Sequence, residues 1–463
     1  MARIERQHPI EKEPSYRAKC FEEVSDGFNE ERALIEASRC LNCKNAPCIS
    51  GCPVNVNIPA FISKIKQKDY DGAIKIIKGT NNLPAVCGRV CPQESQCEGK
   101  CIRNKMEGAV SIGNLERFVA DLALKKDTEK VETISKNGKR AAIIGSGPAG
   151  LTCAADLAAA GVDVTVMEAF HKTGGVLVYG IPEFRLPKAL VQKEIDGLKN
   201  IGVKFETNIV VGKTVYLDEL LQEYDSVFIG TGAGLPVFLN IEGENLNGVL
   251  SANEYLTRVN LMKAYIDGSS TPVRRGKNVI VVGAGNVAMD SARTALRLGA
   301  ESVKIVYRRS REEMPARAEE IRHAEEEGVE LCLLNNPLKI NGENGWVKSM
   351  DCVKMELGEP DASGRKRPVE IKGSQHEIEC DMIIMAIGTS PNPLLKATCD
   401  KLLTSSKGTI TVDNETMKTS IDGVYAGGDA VTGAATVILA MGAGKKAAKA
   451  MLEYMNGNNF SKE

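Results

Sequence analysis

The sequence predicts an α/β protein with two Rossmann-like dinucleotide-binding domains, preceded by a helical, cysteine-rich region. Two stretches, beginning near Ala141 and Asn278, each show the order strand, glycine-rich turn, helix and second strand that is typical of a dinucleotide-binding βαβ unit. Nine of the 14 cysteines lie between Cys20 and Cys101. At 463 residues the chain has room for about three domains, each able to bury its own core.

The first 135 residues are expected to form the helical domain. Residues 30–40 have helical periodicity, and residues 58–78 indicate two short amphipathic helices interrupted near Asp69. Short helices with long connections bury little apolar surface, so bound metal would supply part of the stability. The polar, charged stretch at 125–139 is predicted to be a linker into the first dinucleotide fold.

The crowded cysteines have short spacings and two Cys-Pro steps. Iron-sulfur clusters are held by thiolates at such spacings, and in ferredoxin-type runs a proline follows the last cysteine. Zinc is the alternative, because CxxC pairs also suit a tetrahedral site of four thiolates. The number of cysteines and the two neighbouring dinucleotide folds favour redox clusters. The two runs are Cys40-x2-Cys43-x4-Cys48-x3-Cys52-Pro53 and Cys87-x3-Cys91-Pro92-x5-Cys97-x3-Cys101.

The composition indicates which classes of partner and which cellular compartment to expect. Lysine plus arginine (59) nearly balance aspartate plus glutamate (60), so charge predicts neither nucleic acid nor an anionic membrane as a partner. The first residues are charged and no apolar run reaches 18 residues, so neither a secretory signal nor a membrane span is expected. We therefore expect a cytoplasmic protein, in which crowded cysteines bind metal rather than form disulfides.

The first glycine fingerprint follows four apolar residues, 141–144, and opens a helix rich in Ala and Leu. Its first glycine permits a tight turn, its second lets the backbone approach a pyrophosphate, and its third brings helix and strand together. The helix N-terminus offers free N–H groups to the phosphates, and the second strand ends in an acid that can accept hydrogen bonds from a ribose diol. A turn that binds nothing is the alternative. The candidate residues are Gly145, Gly147, Pro148, Ala149, Gly150 and Glu168.

The second fingerprint has alanine at its third position, a common variant, and its second strand ends in two arginines. An acid at this point suits NADH, whereas an arginine accommodates the 2′-phosphate of NADPH, so the two folds are expected to bind different dinucleotides. The alternatives are a duplicated fold with one silent site and, for the arginines, a solvated pair at a strand end. The candidate residues are Gly283, Gly285, Asn286, Val287, Ala288, Arg308 and Arg309.

Together these motifs resemble the glutamate synthase small (beta) subunit family. This family includes the large subunit of NADH-dependent ferredoxin:NADP oxidoreductase and the N-terminal part of dihydropyrimidine dehydrogenase. The resemblance extends from about residue 30 to the last helix and implies the pyridine nucleotide-disulfide oxidoreductase type of fold. The implied domains are residues 1–135 with two 4Fe-4S clusters, 136–274 and 385–463 for FAD, and an inserted NADPH domain at 275–384.

By motif, the resemblance also implies the ligands of the two clusters. Cys40, Cys43, Cys48 and Cys101 resemble the ligands of one cluster. Three ligands of the other are matched by Cys52, Cys91 and Cys97, and its fourth is a Glu or Gln on the following helix, here Glu116. From the sequence alone Glu116 is a solvated helix charge, so its assignment rests on the resemblance. Cys20 and Cys87 receive no role.

In the FAD domain the family pattern is met by a Gly- and Pro-rich loop and by the C-terminal segment. The loop contributes Gly174, Gly175, Arg185 and Leu186, and the C-terminal segment contributes Gly428, Asp429, Ala435, Thr436 and Val437. Asp429 would contact the ribityl-phosphate side of the flavin, and the helix that begins at Ala435 could stabilise negative charge on the reduced ring. Residues near other strand ends complete the candidate cofactor-binding set: Thr231, Gly232, Ala386 and Gly388.

The resemblance implies an NADPH-dependent oxidoreductase in which a hydride passes between NADPH and FAD, and single electrons pass through two clusters to a partner subunit. No side chain need act as acid or base, because the cofactors supply the chemistry. The implied partner is the glutamate synthase large subunit. The alternative is the NADP(H)-side subunit of an electron-bifurcating NADH-dependent reduced ferredoxin:NADP oxidoreductase, with an NADH- or ferredoxin-side flavoprotein as partner. A non-enzymatic zinc and nucleotide sensor is the third interpretation.

Overall fold

The computed structural model describes residues 4–106, 108–126, 134–361 and 364–457. Part of the expected linker at 125–139, residues 127–133, lies outside the described residues. No helix among the described residues combines the length and the apolarity needed to cross a bilayer.

The N-terminal part, here called the cysteine domain, consists of short helices after one small pair of antiparallel strands. Side chains cap several helices, since Asn29 accepts from the Arg32 N–H and Asp69 from the Gly72 N–H. The two amphipathic helices expected within 58–78 are confirmed, with the break at Asp69. The elements are β1 (Ile10–Glu11), α1 (Pro14–Arg17), β2 (Ser25–Gly27), α2 (Glu30–Ser38), α3 (Pro47–Ser50), α4 (Ile58–Lys66), α5 (Tyr70–Lys78), α6 (Pro84–Val90) and α7 (Ile112–Lys125), with 3-10 turns at Gln93–Ser95 and Ile102–Lys105.

From Arg140 onward the chain alternates strands and helices. The first stretch contains β3 (Arg140–Ile144), α8 (Pro148–Ala159), β4 (Asp163–Glu168), α9 (Val176–Tyr179), α10 (Lys188–Asn200), β5 (Lys204–Thr207), α11 (Leu217–Glu223), β6 (Ser226–Ile229) and β7 (Leu235–Pro236). The second contains β8 (Val249–Ser251), α12 (Ala252–Leu256), a π-helical turn (Thr257–Leu261), β9 (Asn278–Val282), α13 (Asn286–Arg297), β10 (Ser302–Tyr307), a 3-10 turn (Arg311–Glu313), α14 (Ala318–Glu326) and β11 (Glu330–Leu333). The last contains β12 (Asn335–Glu343), β13 (Trp346–Pro360), β14 (Lys366–Glu370), β15 (His376–Glu379), β16 (Met382–Met385), β17 (Thr389–Ser390), α15 (Leu394–Thr398), β18 (Val424–Ala426), α16 (Asp429–Thr432) and α17 (Val437–Met455).

The first dinucleotide fold is built on a parallel sheet with strand order β18-β6-β3-β4-β5. Ile144 lies opposite Met167 on one side and Ile229 on the other, so the carboxyl ends of β3, β4 and β6 meet at one edge. The outer strand β18 comes from the C-terminal segment. The first sheet is therefore completed by a strand that follows the second fold in the sequence.

The second dinucleotide fold is a parallel sheet with strand order β11-β10-β9-β16-β8. The two parallel sheets confirm the expected fold class. The boundary expected at residue 275 is corrected, because β8 at Val249–Ser251 pairs with β16 and Tyr255 packs against Val279 in one hydrophobic core. The edge strand of the second sheet thus precedes the boundary that the glycine motif indicated. β7 and β17 pair antiparallel where the chain passes between the two folds.

Two further features position the site. A small antiparallel sheet of β12–β15 packs on the second fold, and its hairpin β13–β14 extends beyond that fold. The cores of the cysteine domain and the first fold are continuous, since Phe61 and Leu115 belong to the same buried cluster as Leu151 on α8 and Met441 on α17. The cysteines therefore lie directly beside the first dinucleotide fold.

Candidate functional site

The first glycine turn joins β3 to α8 at the carboxyl edge of the first sheet. A Cβ atom on Gly150 would lie 2.0 Å from the Gly145 carbonyl oxygen, so this glycine is required by the packing of the turn. A Cβ atom on Gly147 would meet no protein atom within 4 Å, and its φ of −71° suits any residue. The space over Gly147 is therefore available to a ligand, and the N–H groups at the start of α8 face it.

Glu168 ends β4 beside this turn. Its carboxylate accepts hydrogen bonds from the backbone N–H of Ser146 at 3.1 Å and of Phe170 at 2.9 Å, and also from the Ser146 hydroxyl. The same hydroxyl accepts from the Gly174 N–H at 2.9 Å, and a Cβ on Gly175 would lie 2.8 Å from the Gly147 Cα. Residues 174–187, here called the Gly-Pro loop, are thus fixed against the first glycine turn.

Asp429 follows β18 and reaches the same edge of the first sheet. Its carboxylate accepts from the Ala435 N–H at 3.2 Å, and burial raises its pKa. Thr436 caps α17 by accepting from the Leu439 N–H, so the helix begins at Val437, two residues after Ala435. Thr231 and Gly232 follow β6 at this edge too. These residues, which are among those expected to bind the first dinucleotide, therefore lie at one edge of the first sheet.

Sequence reasoning missed Tyr179 in this region. Tyr179 lies within electrostatic range of Asp429 and Glu168, which raise its pKa to about 12 together with the larger effect of burial. Its ring packs edge-on against Phe170 at 5.8 Å. The available signal was an aromatic residue within the otherwise aliphatic, glycine-rich start of the Gly-Pro loop.

The second glycine turn joins β9 to α13. A Cβ on Gly283 would lie 2.3 Å from the Ala386 carbonyl oxygen, whereas a Cβ on Gly285 would meet only Pro315, at 3.9 Å. Asn286 accepts from the Arg317 N–H at 3.0 Å, and Val287 is exposed at the first turn of α13. Ala288 is fully buried and Gly388 lies beyond the end of β16, so this turn repeats the open geometry of the first.

The two arginines after β10 have different environments. Arg308 is exposed. Arg309 is buried and donates to Asp361 at 2.7 Å and to the Lys366 carbonyl at 2.9 Å, both on the β13–β14 hairpin. The expectation that both arginines read a phosphate is therefore revised, because Arg309 already has an anionic partner and Arg308 does not share it.

Arg185 and Leu186 of the Gly-Pro loop are both buried. The Arg185 guanidinium pairs with Asp290 of α13 and Glu320 of α14 at 2.7 and 2.8 Å, so this side chain is engaged by the second dinucleotide fold. The sequence-based assignment of Arg185 to the flavin is therefore revised for its side chain. Its partner Asp290 was missed, although an acid inside a helix of mostly small residues was a signal.

The cysteines form two groups. Cys40, Cys43, Cys48 and Cys101 line one cavity whose other walls are mainly apolar. Burial, with smaller effects of the facing cysteines, raises the pKa of Cys48 to about 11. Thiolates at this position therefore require a nearby cation.

Cys52, Cys91, Cys97 and Glu116 form the second group. Burial raises the pKa values of Cys52 and Cys97, and the charges of Cys91 and Glu116 add to both shifts. Burial also raises the pKa of Glu116 to about 8, against the hydrogen bond that Asn81 donates to it at 2.6 Å. The structure thus brings together the eight residues in the two groups that the resemblance implied.

Cys87 lies beside the second group. Its thiol is 3.6 Å from the side-chain amide oxygen of Asn81 and 3.5 Å from the Met441 sulfur of α17. Asn81 therefore contacts both Glu116 and Cys87. Sequence reasoning missed Asn81, because no local pattern distinguishes it in a loop between two helices.

The spacing of the cysteines suits a cluster better than a single ion. Thiolates around one zinc lie about 3.8 Å apart, because Zn–S bonds of about 2.3 Å point to the corners of a tetrahedron. Among the described residues, the only three potential ligand atoms within 4.8 Å of one another belong to Glu11, Glu319 and His323. Those carboxylates already pair with Arg322 and Arg317 at 2.7 and 2.8 Å, so they indicate no metal site. Among the described residues no three cysteine sulfurs lie within 4.8 Å of one another, so the cysteines are not closed around a single ion.

Comparisons with known proteins agree with this architecture. The domain described as dihydropyrimidine dehydrogenase domain II, 4Fe-4S cluster, matches residues 17–128, and pyridine nucleotide-disulphide oxidoreductase matches residues 139–446. The fold is similar to that of Mycobacterium tuberculosis FprA in complex with NADPH, with a TM-score of 0.57, 20% identity, and coverage of 69% of this chain and 85% of that one.

Two curated relatives are similar over most of the chain. The NADP(+)-dependent formate dehydrogenase subunit beta of Moorella thermoacetica is 41% identical over 90% of this chain, which spans 61% of that subunit. The glutamate synthase [NADPH] small chain of Azospirillum brasilense is 38% identical over 96% of this chain and 94% of its own length. The chain therefore belongs to the family of glutamate synthase [NADPH] small chains, built from an iron-sulfur domain and a pyridine nucleotide oxidoreductase domain.

Proposed function

We propose that this chain is the NADPH-oxidising subunit of a glutamate synthase, which passes electrons from NADPH through FAD and two 4Fe-4S clusters to a larger partner subunit. The observation that supports this most strongly is the joint presence of two open glycine turns and two separate cysteine groups, with the cysteine groups and the first glycine turn on one continuous core. When bound, FAD exchanges a hydride with NADPH and the clusters transfer single electrons.

We assign Cys40, Cys43, Cys48 and Cys101 to one cluster, and Cys52, Cys91, Cys97 and Glu116 to the other. The first group lies near the surface, where Leu41 and Ile102 line the same cavity and are 54% and 46% exposed. The second group lies toward the first dinucleotide fold, because the adjacent Cys87 contacts Met441 of α17. Electrons would thus move from the first dinucleotide fold through the second group to the first group, and leave beside the exposed apolar side chains.

We assign FAD to the first dinucleotide fold. The first glycine turn would bind its pyrophosphate, Glu168 its adenosine ribose and Asp429 its ribityl-phosphate side. Val437 begins a 19-residue helix, whose N-terminus would stabilise negative charge on the reduced ring. The chain's own groups bind, orient and polarise, and none of them is needed as an acid or base.

We assign NADPH to the second dinucleotide fold, with Arg308 as the residue that binds the 2′-phosphate. Arg308→Ala should raise the KM for NADPH about tenfold, equal to about 1.4 kcal/mol, because it removes a charge-assisted hydrogen bond. The KM for NADH should hardly change. The measurement is steady-state reduction of an artificial acceptor with each nucleotide.

Arg309→Ala is the matched control for this prediction. It removes the ion pair between residue 309 and Asp361 on the hairpin, so it should lower stability without changing the ratio of NADPH to NADH efficiency. Equal losses for both nucleotides in Arg308→Ala would show that Arg308 does not read the phosphate.

The proposal also includes a reducing compartment and a partner subunit. All 14 cysteines are unpaired, which fits a reducing compartment such as the cytoplasm. Anaerobic titration should reduce the flavin with about one NADPH per FAD, and the glutamate synthase large subunit should co-purify with the chain. Failure of NADPH to reduce the flavin would refute the proposed function. Recovery of a second flavoprotein in place of the large subunit would favour the electron-bifurcating alternative.

A further inference from the structure

Residues 10–27, here called the strap, lie where the cysteine domain, the Gly-Pro loop and the second dinucleotide fold meet. The Val24 N–H donates to the Phe184 carbonyl of the Gly-Pro loop at 2.9 Å. Glu23 pairs with Arg89 of the cysteine domain at 2.7 Å. The strap, itself part of the cysteine domain, therefore joins the helices of that domain to a loop that is fixed against the first glycine turn.

The other side of the strap contacts the second dinucleotide fold. The Phe21 ring stacks on Tyr265 with centroids 4.3 Å apart. Arg17 is 1% exposed, and its Nε lies 3.1 Å from a carboxylate oxygen of Glu327, at the end of α14. The Cys20 carbonyl accepts from the Arg297 guanidinium at 2.9 Å. One short segment thus contacts all three parts of the molecule.

Arg17 enters a cluster of four arginines and four carboxylates, all buried except Glu326. Glu327 is its centre, because Arg17, Arg293 and Arg297 all lie within 3.1 Å of its carboxylate. The side chains of these four residues are at most 1% exposed. The members of the cluster are Arg17, Arg185, Arg293, Arg297, Asp290, Glu320, Glu326 and Glu327.

The same cluster reaches the Gly-Pro loop. Nη1 of Arg185 donates to both oxygens of Asp290, at 2.8 and 2.7 Å. Asp290 lies on α13, the helix that begins at the second glycine turn. The neighbouring Phe184 ring lies 3.8 Å from the Arg297 guanidinium carbon and 4.9 Å from that of Arg293. The loop beside the first site is therefore held by the helix of the second site.

Such a cluster opposes rotation of the second fold relative to the first. Rotation would separate Arg185 from Asp290, and it would also separate Arg17 from Glu327 or the strap from the Gly-Pro loop. Buried charges without partners are strongly unfavourable, so the paired arrangement specifies one relative orientation of the two folds.

We propose that Arg17 and Arg185 are positioning residues, which hold the second dinucleotide fold in one orientation toward the Gly-Pro loop so that bound nicotinamide faces the flavin. This inference rests on the proposed function, because the two nucleotide sites are those assigned above. Neither residue touches the reacting atoms. Their effect is on the geometry from which the hydride is transferred, to which such rates are sensitive.

Arg17→Ala tests this role directly. Glu327 keeps Arg293 and Arg297 as partners, so the variant should fold and retain its cofactors. Hydrogen exchange of the peptide that contains Val24 should become faster, because the strap is released. In stopped-flow reduction by NADPH, the limiting rate should fall about tenfold, while half-saturation changes less than about twofold. Arg258→Ala, in an exposed ion pair with Glu254, is the matched control and should change neither quantity.

Phe21→Ala should release the strap without removing a charge. If Arg17→Ala loses its flavin, Phe21→Ala tests whether release of the strap lowers the limiting rate of flavin reduction. It should show the same faster exchange and the same lower limiting rate. Faster exchange with the wild-type limiting rate, or unchanged exchange in both variants, would overturn the positioning role. Hydrogen exchange is measured without nucleotide and does not depend on the reaction. Failure of the wild-type protein to react with NADPH would therefore refute the proposed function, whereas the hydrogen-exchange result would still test whether Arg17 and Phe21 hold the strap in place.

Discussion

Glu116→Ala should remove one of the two clusters and lower the iron content from about eight to about four per chain. The carboxylate lies among Cys52, Cys91 and Cys97, and burial raises its pKa to about 8, so a cation beside it would favour its anionic form. FAD content and flavin reduction by NADPH should persist, because the hydride step occurs at the flavin. Electron delivery to a partner should fail. Iron analysis and EPR of the reduced protein measure the result.

Two variants control for this prediction. Glu116→Gln keeps an oxygen donor at the same position and should retain both clusters, as the family resemblance implies. Glu31→Ala removes an exposed acid from α2 and should have no effect on iron. If Glu116→Ala retained both clusters with unchanged EPR signals, Glu116 would not be a ligand. Cys87, beside the same group, would then be the first candidate.

Gly147→Ala should leave the fold intact and weaken FAD binding about a hundredfold, equal to about 2.8 kcal/mol. The added methyl group meets no protein atom within 4 Å and the backbone conformation suits alanine, so the substitution costs no packing energy. The methyl group would instead occupy the space assigned to the pyrophosphate. Gly150→Ala is not an equivalent test, because its Cβ would lie 2.0 Å from a backbone oxygen and the turn itself would fail.

Gly197→Ala is the matched control for Gly147→Ala. Gly197 lies within α10, and its Cβ also meets nothing within 4 Å, so this variant should bind FAD normally and gain about 0.5–1 kcal/mol of stability. Flavin titration of the apoproteins gives the affinities, and thermal unfolding gives the stability. Normal FAD affinity in Gly147→Ala would show that the pyrophosphate does not lie over this turn.

The sequence predicted those features that depend on local patterns. The glycine turns and the strands on each side of them follow from short-range patterns, and the structure contains them. The fold class followed because two such units occur in one chain.

Other features depend on contacts between residues far apart in the chain, and local patterns could not predict them. The Arg309 side chain donates a hydrogen bond to Asp361, which lies 52 residues away in the sequence, on a hairpin. Arg185 is engaged by Asp290, 105 residues further along. The edge strand β8 joins a sheet whose other strands all follow residue 277. In each case a buried charge or a strand edge pairs with a group that is distant in sequence and that only the tertiary fold brings near.

The grouping of the cysteines shows the same limit. Spacing alone identified a metal-binding region, but it could not place Cys101 with Cys40, Cys43 and Cys48 rather than with Cys97. The family resemblance implied that Cys101 belongs to the group of Cys40, Cys43 and Cys48, and these four residues line one cavity. The sequence alone leaves zinc as an alternative, whereas the match of residues 17–128 to a 4Fe-4S domain supports clusters.

The most direct test of the account is the metal and flavin content of the chain after purification without oxygen. We expect a brown protein with about eight iron atoms, matched by acid-labile sulfide, and one FAD per chain. A colourless protein that contains stoichiometric zinc and no flavin would contradict it.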